Sequence, residues 1–151
     1  MKFIHLLWTV SIVTIIISTI FLCGCGESGG SSSVEPMADE PMILDAVLCI
    51  SVKNDRPDGI TDTFYRANDD RIYVWVYWTN LADVSTAKAV WYEPDKDTPF
   101  REDSQTIRTD SGFGITWFYI DEPVGGFNTG EWSVEIYLDG NLERSLLFTV
   151  Q

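Results

Sequence analysis

Three aspartates lie close enough together in the chain to bind a metal ion. Asp55, Asp58 and Asp62 fall within the segment NDRPDGITD, where Gly59 permits a sharp bend. Ca²⁺ takes several oxygen ligands of this kind, so the segment is a candidate calcium site. It lacks the full EF-hand pattern with its closing glutamate. Turn propensity alone also explains aspartate and glycine here, so a plain turn is the alternative and no other cofactor is expected.

Aromatic side chains form a second candidate site. In the run RIYVWVYWT, Tyr73, Trp75 and Tyr77 share one phase, and the residues between them share the other. Successive strand residues point to opposite faces, so one of the two sets must face the core. If the other set does, the three rings form a ladder on an outer face, joined by a residue from 88–92. Such a ladder can stack on sugars or bury against a protein, unless loops or the first strand cover it.

The chain offers little for catalysis. Its single histidine, His5, lies in an N-terminal apolar segment, so Ser-His and Cys-His relays cannot be built further along. Carboxylate pairs such as Asp95 with Asp97 fall in a predicted turn, where solvated charge is ordinary. We therefore expect a protein that is not an enzyme.

The N-terminal segment predicts export. Lys2 precedes an uncharged run, 6–22. The N-terminal segment then ends in the residues Leu22-Cys23-Gly24-Cys25. This ending resembles the bacterial lipobox, in which leucine stands three residues before the acylated cysteine and a small residue directly before it. The resemblance implies that residues 1–24 are a signal peptide and that Cys25 carries the lipid, with palmitate as a typical acyl chain. An uncleaved signal anchor is the alternative.

The residues after the leader predict a tethered domain outside the cytoplasm. Residues 25–41 comprise the lipid site and a stretch of Gly, Ser, Pro and acidic residues, which is typical of a flexible tether. The domain proper then spans 42–151. Gly26 follows the lipid site where an aspartate often signals inner-membrane retention. The resemblance therefore implies the outer membrane if the host has two membranes.

The net charge excludes one class of partner, and the cysteine content bears on how the domain is stabilised. The formal net charge is −13, which repels phosphate backbones, so nucleic-acid binding is not expected. Cys49 stands alone in an apolar run and is predicted to be a buried, inert thiol. The domain must then be stable without disulfides.

Alternating apolar and polar residues predict an all-β domain. The expected strands number about seven, at 42–53, 71–79, 86–93, 100–109, 113–120, 130–138 and 142–150. Residues 54–70 are expected to form a loop, and 100–109 an edge strand. A single sheet cannot bury both faces of the apolar strands 72–78 and 113–120, so a two-sheet antiparallel sandwich is predicted.

The closing hairpin carries a resemblance to a known class of domain. It reads GEWSVEIYLDG followed by FTV, with a D-G-N turn between two alternating runs. Together with IYVWVYWT and WYEPDKD, it resembles the Ig-like β-sandwich domains of bacterial and archaeal surface proteins and lipoproteins. The matching positions are Gly130, Trp132, Val134, Ile136, Tyr137, Asp139, Gly140, Phe148 and Val150.

The resemblance implies a fold but not a specific function, since such domains serve as spacers, adhesion modules and sugar binders. We expect a non-catalytic, lipid-anchored domain with an interaction or structural role at the cell envelope. A carbohydrate-binding module that uses an exposed aromatic sheet face is the alternative. The expected partners are the membrane, through the lipid, and a protein or glycan that the sequence does not identify.

Overall fold

This computed structural model describes residues 39–151, which contain nine β strands. They are β1 (Met42–Lys53), β2 (Arg56–Ile60), β3 (Thr63–Phe64), β4 (Arg71–Thr79), β5 (Val84–Tyr92), β6 (Arg101–Arg108), β7 (Gly114–Asp121), β8 (Gly130–Leu138) and β9 (Asn141–Val150). No helix occurs in these residues, so the all-β prediction is confirmed.

The strands form two sheets that pack face to face. The four-stranded sheet has the order β2-β1-β4-β7, and the five-stranded sheet has the order β3-β9-β8-β5-β6. All neighbours are antiparallel except β3 and β9, which run parallel. With β1, β4 and β7 as strands A, B and E, and β9, β8, β5 and β6 as G, F, C and C′, this is the immunoglobulin-like order. The predicted sandwich is confirmed, and β6 lies at an edge as expected.

The core lies between the sheets and decides which way β4 faces. Its largest fully buried side chains are Trp78, Trp91 and Trp132. The Trp78 indole Nε1 donates a hydrogen bond to Thr116 Oγ1 at 2.9 Å, so its polar atom is satisfied inside the core. Since Trp78 and its phase mates point inward, Tyr73, Trp75 and Tyr77 must point outward.

Two β-bulges turn two leucines away from the core. The alternation groups Leu44 and Leu142 with the inward-facing residues, yet both are about half exposed. In β1 the register shifts between Ile43 and Asp45, so Ile43 takes the core position instead. In the β8–β9 pair the shift leaves Leu142 opposite the outward-facing Tyr137. An extra residue in one strand reverses the phase beyond it, which a strict period of two does not foresee.

The segment predicted as one long loop contains two of the strands. Asn54 and Asp55 have φ angles of 49° and 58°, and they form the two-residue turn that folds β2 back onto β1. Positive φ at both central residues is the requirement of the type I′ hairpin turn. β3 then pairs with the end of β9, which places Phe64 in the core with its ring centroid 5.6 Å from that of Phe148. The loop prediction was wrong for both short strands.

Candidate binding face

The outward side chains of β4 and β7 lie side by side and form one aromatic surface. Trp75 is the register partner of Trp117, and Tyr73 is the partner of Tyr119. We call this surface the aromatic face. It comprises Tyr73, Trp75, Tyr77, Phe113, Ile115, Trp117 and Tyr119.

The rings of the aromatic face contact one another along the sheet. The ring centroids of Trp75 and Tyr77 are 6.2 Å apart, and those of Tyr77 and Phe113 are also 6.2 Å apart. At the other end, the centroids of Tyr73 and Tyr119 are separated by 5.5 Å. These spacings are within the range of favourable aromatic pairs, so the rings stabilise one another.

Much of this apolar surface is open to solvent. Phe113 is 49% exposed, Trp117 39% and Tyr119 37%, whereas Trp75 is only 8% exposed. Trp75 is covered because the tip of the β1–β2 hairpin curls over it. Its strand neighbour in β1 is Val47, but its indole Nε1 donates to the carbonyl of Asp55 at 2.8 Å.

The three predicted residues of β4 therefore point to the outer face, but the surface includes further residues that were not predicted. Sequence reasoning identified the three β4 residues and expected a further member from 88–92. That expectation was wrong, because β5 belongs to the opposite sheet. The missing members come from β7, where Ile115, Trp117 and Tyr119 are exposed and alternate with buried residues.

Arginines cover the Tyr119 end of the aromatic face. The Arg71 guanidinium carbon lies 4.2 Å from the ring centroid of Tyr119 and 5.8 Å from that of Tyr73. Arg71 also forms a salt bridge with Asp121 at 2.5 Å. Hydrogen bonds to the Tyr73 hydroxyl and to Asp121 raise the pKa of Arg71, so the guanidinium stays charged. The Arg101 guanidinium carbon lies 5.7 Å from the Tyr119 centroid.

A groove opens at the Tyr77 end, between the hairpin tip and the sheet. One part of it has a volume of about 420 Å³ and is lined by Asp55, Arg56, Pro57, Trp75, Tyr77 and Ile115. A neighbouring part is lined by Asp55, Tyr77, Phe113, Gly114 and Ile115. Tyr77, Ile115 and Asp55 border both parts, so the two parts adjoin along these residues.

The three predicted calcium ligands are not brought together. Asp55 lies at the hairpin tip, while the carboxylate of Asp58 accepts hydrogen bonds from Lys53 Nζ at 2.6 Å and Ser51 Oγ at 3.1 Å. Chiefly through the Lys53 bond, these contacts lower the pKa of Asp58. Asp62 Oδ1 accepts from Thr63 Oγ1 instead. Within residues 39–151, no three acidic, histidine or cysteine groups are arranged to hold a metal ion.

Of the two cysteine predictions, one concerns a residue outside the described region and the other a residue within it. Cys25 lies outside residues 39–151, so its lipidation stays a prediction. Cys49 is fully buried, as predicted, and burial raises the pKa of its thiol, which keeps it unreactive. Within the same residues, no helix has the length and apolar character needed to cross a bilayer.

Neither a protein-family model nor a curated protein sequence matches this chain. The surfaces of the sandwich are therefore the basis for inferring its function.

Proposed function

We propose that the chain is a lipid-anchored, extracytoplasmic β-sandwich that binds a partner through its aromatic face and catalyses no reaction. The exposure of the rings carries this proposal. A soluble domain can bury such side chains, and clustered apolar surface left in solvent marks contact sites. Phe113 and Trp117 are the most exposed rings of the aromatic face, so a partner would gain most by covering them.

The anchoring half of the proposal is supported by sequence. The lipobox-like ending at Cys25 follows an uncharged segment, and the composition of residues 26–41 is typical of a linker. A lipid at Cys25 would hold the sandwich near a membrane while leaving its faces free to rotate toward a partner.

A carbohydrate is the second candidate partner. Beside Trp117 and Tyr119 lie the planar polar groups of Arg101, Asp103 and Gln105, and Gln105 Nε2 donates to the Trp117 carbonyl at 2.6 Å. A flat ring flanked by hydrogen-bonding groups is the combination that sugar recognition uses. This arrangement favours the carbohydrate alternative over a passive spacer.

Photocrosslinking in living host cells tests the binding role. A photoreactive amino acid replaces Trp117 in one full-length variant and Leu147 in another, since Leu147 is 60% exposed on the opposite sheet. We expect covalent adducts from position 117 and few from position 147. Equal yields from both positions would contradict a binding role for the aromatic face.

The anchor is tested separately by metabolic labelling. Cells that produce the full chain are grown with radiolabelled palmitate, and a Cys25→Ala variant serves as the matched control. We expect label on the parent chain and none on the variant. Label that persists in Cys25→Ala would place the lipid elsewhere.

A further inference from the structure

The two ends of the aromatic face differ in what lies over their rings. At the Tyr119 end, a ring, a cation and a carboxylate come together as Tyr119, Arg71 and Asp121. The positive charge rests on the electron-rich ring face, and the carboxylate neutralises it. The Tyr119 end is therefore an example of how a ring of this face binds a guanidinium group.

The Tyr77 end has the rings and the carboxylates, but none of the cations of residues 39–151 lies over its rings. Asp45 is the register partner of Tyr77 in β1, and Asp55 borders the groove together with Tyr77 and Phe113. Within residues 39–151, neither aspartate forms a salt bridge, and no cation lies over the ring of Tyr77 or Phe113. Both aspartates are exposed and can meet a charge that arrives from outside.

We propose that this end of the aromatic face binds arginine or lysine side chains in an extended basic segment of a partner protein. The inference rests on the proposed binding role of the face and names the chemistry of the partner. An incoming cation would stack on Tyr77 and Phe113 while Asp45 and Asp55 balance its charge. The aliphatic part of the same side chain would pack against Ile115.

Charge complementarity favours a basic polypeptide over the other candidates. Elsewhere on and beside this face, the charged groups are already paired as Lys53–Asp58, Arg71–Asp121 and Arg101–Asp103. Arg56 lines the Trp75 part of the groove together with Asp55 and Tyr77, so it opposes cations in that part. The cation is therefore expected in the Phe113 part, which Arg56 does not line. A net charge of −13 attracts basic partners and repels a second copy of the chain. A neutral sugar would leave Asp45 and Asp55 without a counter-charge.

Titration calorimetry with synthetic peptides tests the proposal on the purified full chain in detergent micelles. The probes are a peptide of alternating arginine and serine, a glutamate–serine peptide of the same length, and oligosaccharides of cellulose and chitin. We expect the arginine peptide alone to bind, and to bind more weakly as salt is added. Asp45→Asn, Asp55→Asn and Phe113→Ala should each raise its Kd roughly two- to fivefold.

Matched controls separate binding from folding. Asparagine tolerates the positive φ of Asp55, so Asp55→Asn keeps the turn. Leu147→Ala, on the opposite sheet, should leave the Kd unchanged, and circular dichroism of every variant should match the parent.

Several results would overturn the inference. They are equal binding of the arginine and glutamate peptides, a Kd that none of the three variants changes, or binding of an oligosaccharide but not of the arginine peptide. In those cases, crosslinks from position 117 would still support a partner of other chemistry. If those crosslinks fail as well, the proposed function is lost with the inference.

Discussion

The two outer faces of the sandwich differ in how their side chains are satisfied. On the five-stranded sheet, the hydroxyls of Tyr92 and Tyr137 both donate to Glu135 Oε2, at 3.1 Å and 2.6 Å. Lys88 Nζ lies 3.7 Å from Glu102 Oε2 and 4.6 Å from the ring centroid of Tyr137. We call these five residues the polar face. On the aromatic face, the rings meet mainly other rings and remain partly open.

The difference separates a cluster whose polar groups are already paired from a surface whose rings can still gain contacts. Both faces are built on alternating strands and both contain tyrosine, so neither the strand pattern nor the presence of tyrosine distinguishes them. On the polar face, each tyrosine hydroxyl already has an acceptor inside the chain. On the aromatic face, the exposed parts of Phe113 and Trp117 are apolar and would be stabilised by a partner that removes them from water.

The largest effect is expected inside the aromatic face itself. Trp75→Ala should lower the free energy of unfolding by about 3–5 kcal/mol, because the indole is nearly buried beneath the hairpin tip. Trp117→Ala, at the paired position of β7, should cost only about 1 kcal/mol because that ring is partly solvated. Urea unfolding measures both. Equal losses would show that the face has no division into packed and open rings.

A smaller effect is expected at the hairpin tip that covers Trp75. Asp55→Ala should destabilise the fold by about 1 kcal/mol, because alanine resists the positive φ of 58°. Asp55→Gly should restore most of that loss, since glycine adopts the conformation freely. Thermal unfolding of the two variants compares them. If alanine and glycine behave alike, backbone strain does not limit this turn.

On the polar face, a single ion pair is expected to matter little. Glu102→Gln should cost about 0.5 kcal/mol, because Lys88 and Glu102 are both substantially exposed. A double-mutant cycle with Lys88→Met, run at low and high salt, isolates the pair. A coupling energy that high salt leaves unchanged would mean that the contact is not mainly electrostatic.

The tyrosines of the polar face should make the stability of the fold depend on pH in alkaline solution but hardly at all near neutral pH. The hydrogen bond to Glu135 raises the pKa of Tyr137 to about 12, and burial followed by the same carboxylate raises that of Tyr92. A raised folded-state pKa stabilises the fold below the unfolded value, about 10, and this stabilisation is lost as pH rises toward 12. Melting temperatures measured across that range should fall less steeply for Tyr137→Phe.

Absorbance of tyrosinate provides the control for that prediction. Glu135→Gln should bring the Tyr137 pKa back toward its ordinary value. An unchanged titration in this variant would remove Glu135 as the cause.

Sequence alone predicts those parts of the fold that depend on local pattern. The closing hairpin of β8 and β9 is readable because alternation flanks Asp139-Gly140, and both turn residues have the positive φ that such a pair favours. The same signal was present in Asn54-Asp55, although an intervening run with Pro57 and Gly59 obscured β2. The bulges at Leu44 and Leu142 carry no comparable local mark, since each depends on the partner strand.

The candidate site was only half predictable, because it combines strands that are distant in sequence. The phase of Tyr73, Trp75 and Tyr77 follows from β4 alone. That Trp75 lies beside Trp117, rather than beside a residue of β5, follows from the strand order of the assembled sandwich. Periodicity within a strand predicts which face of the sheet a residue lies on, but it does not predict which residue lies beside it on the adjacent strand.

The solvent exposure of Trp117 gives the protein a built-in optical reporter. Among the tryptophans of residues 39–151, Trp78, Trp91 and Trp132 are sealed in the interior and Trp75 is nearly so. A collisional quencher such as acrylamide should therefore dim mainly the emission of Trp117. Any molecule that settles over β7 would shield that indole, so occupancy could be followed in an unlabelled sample.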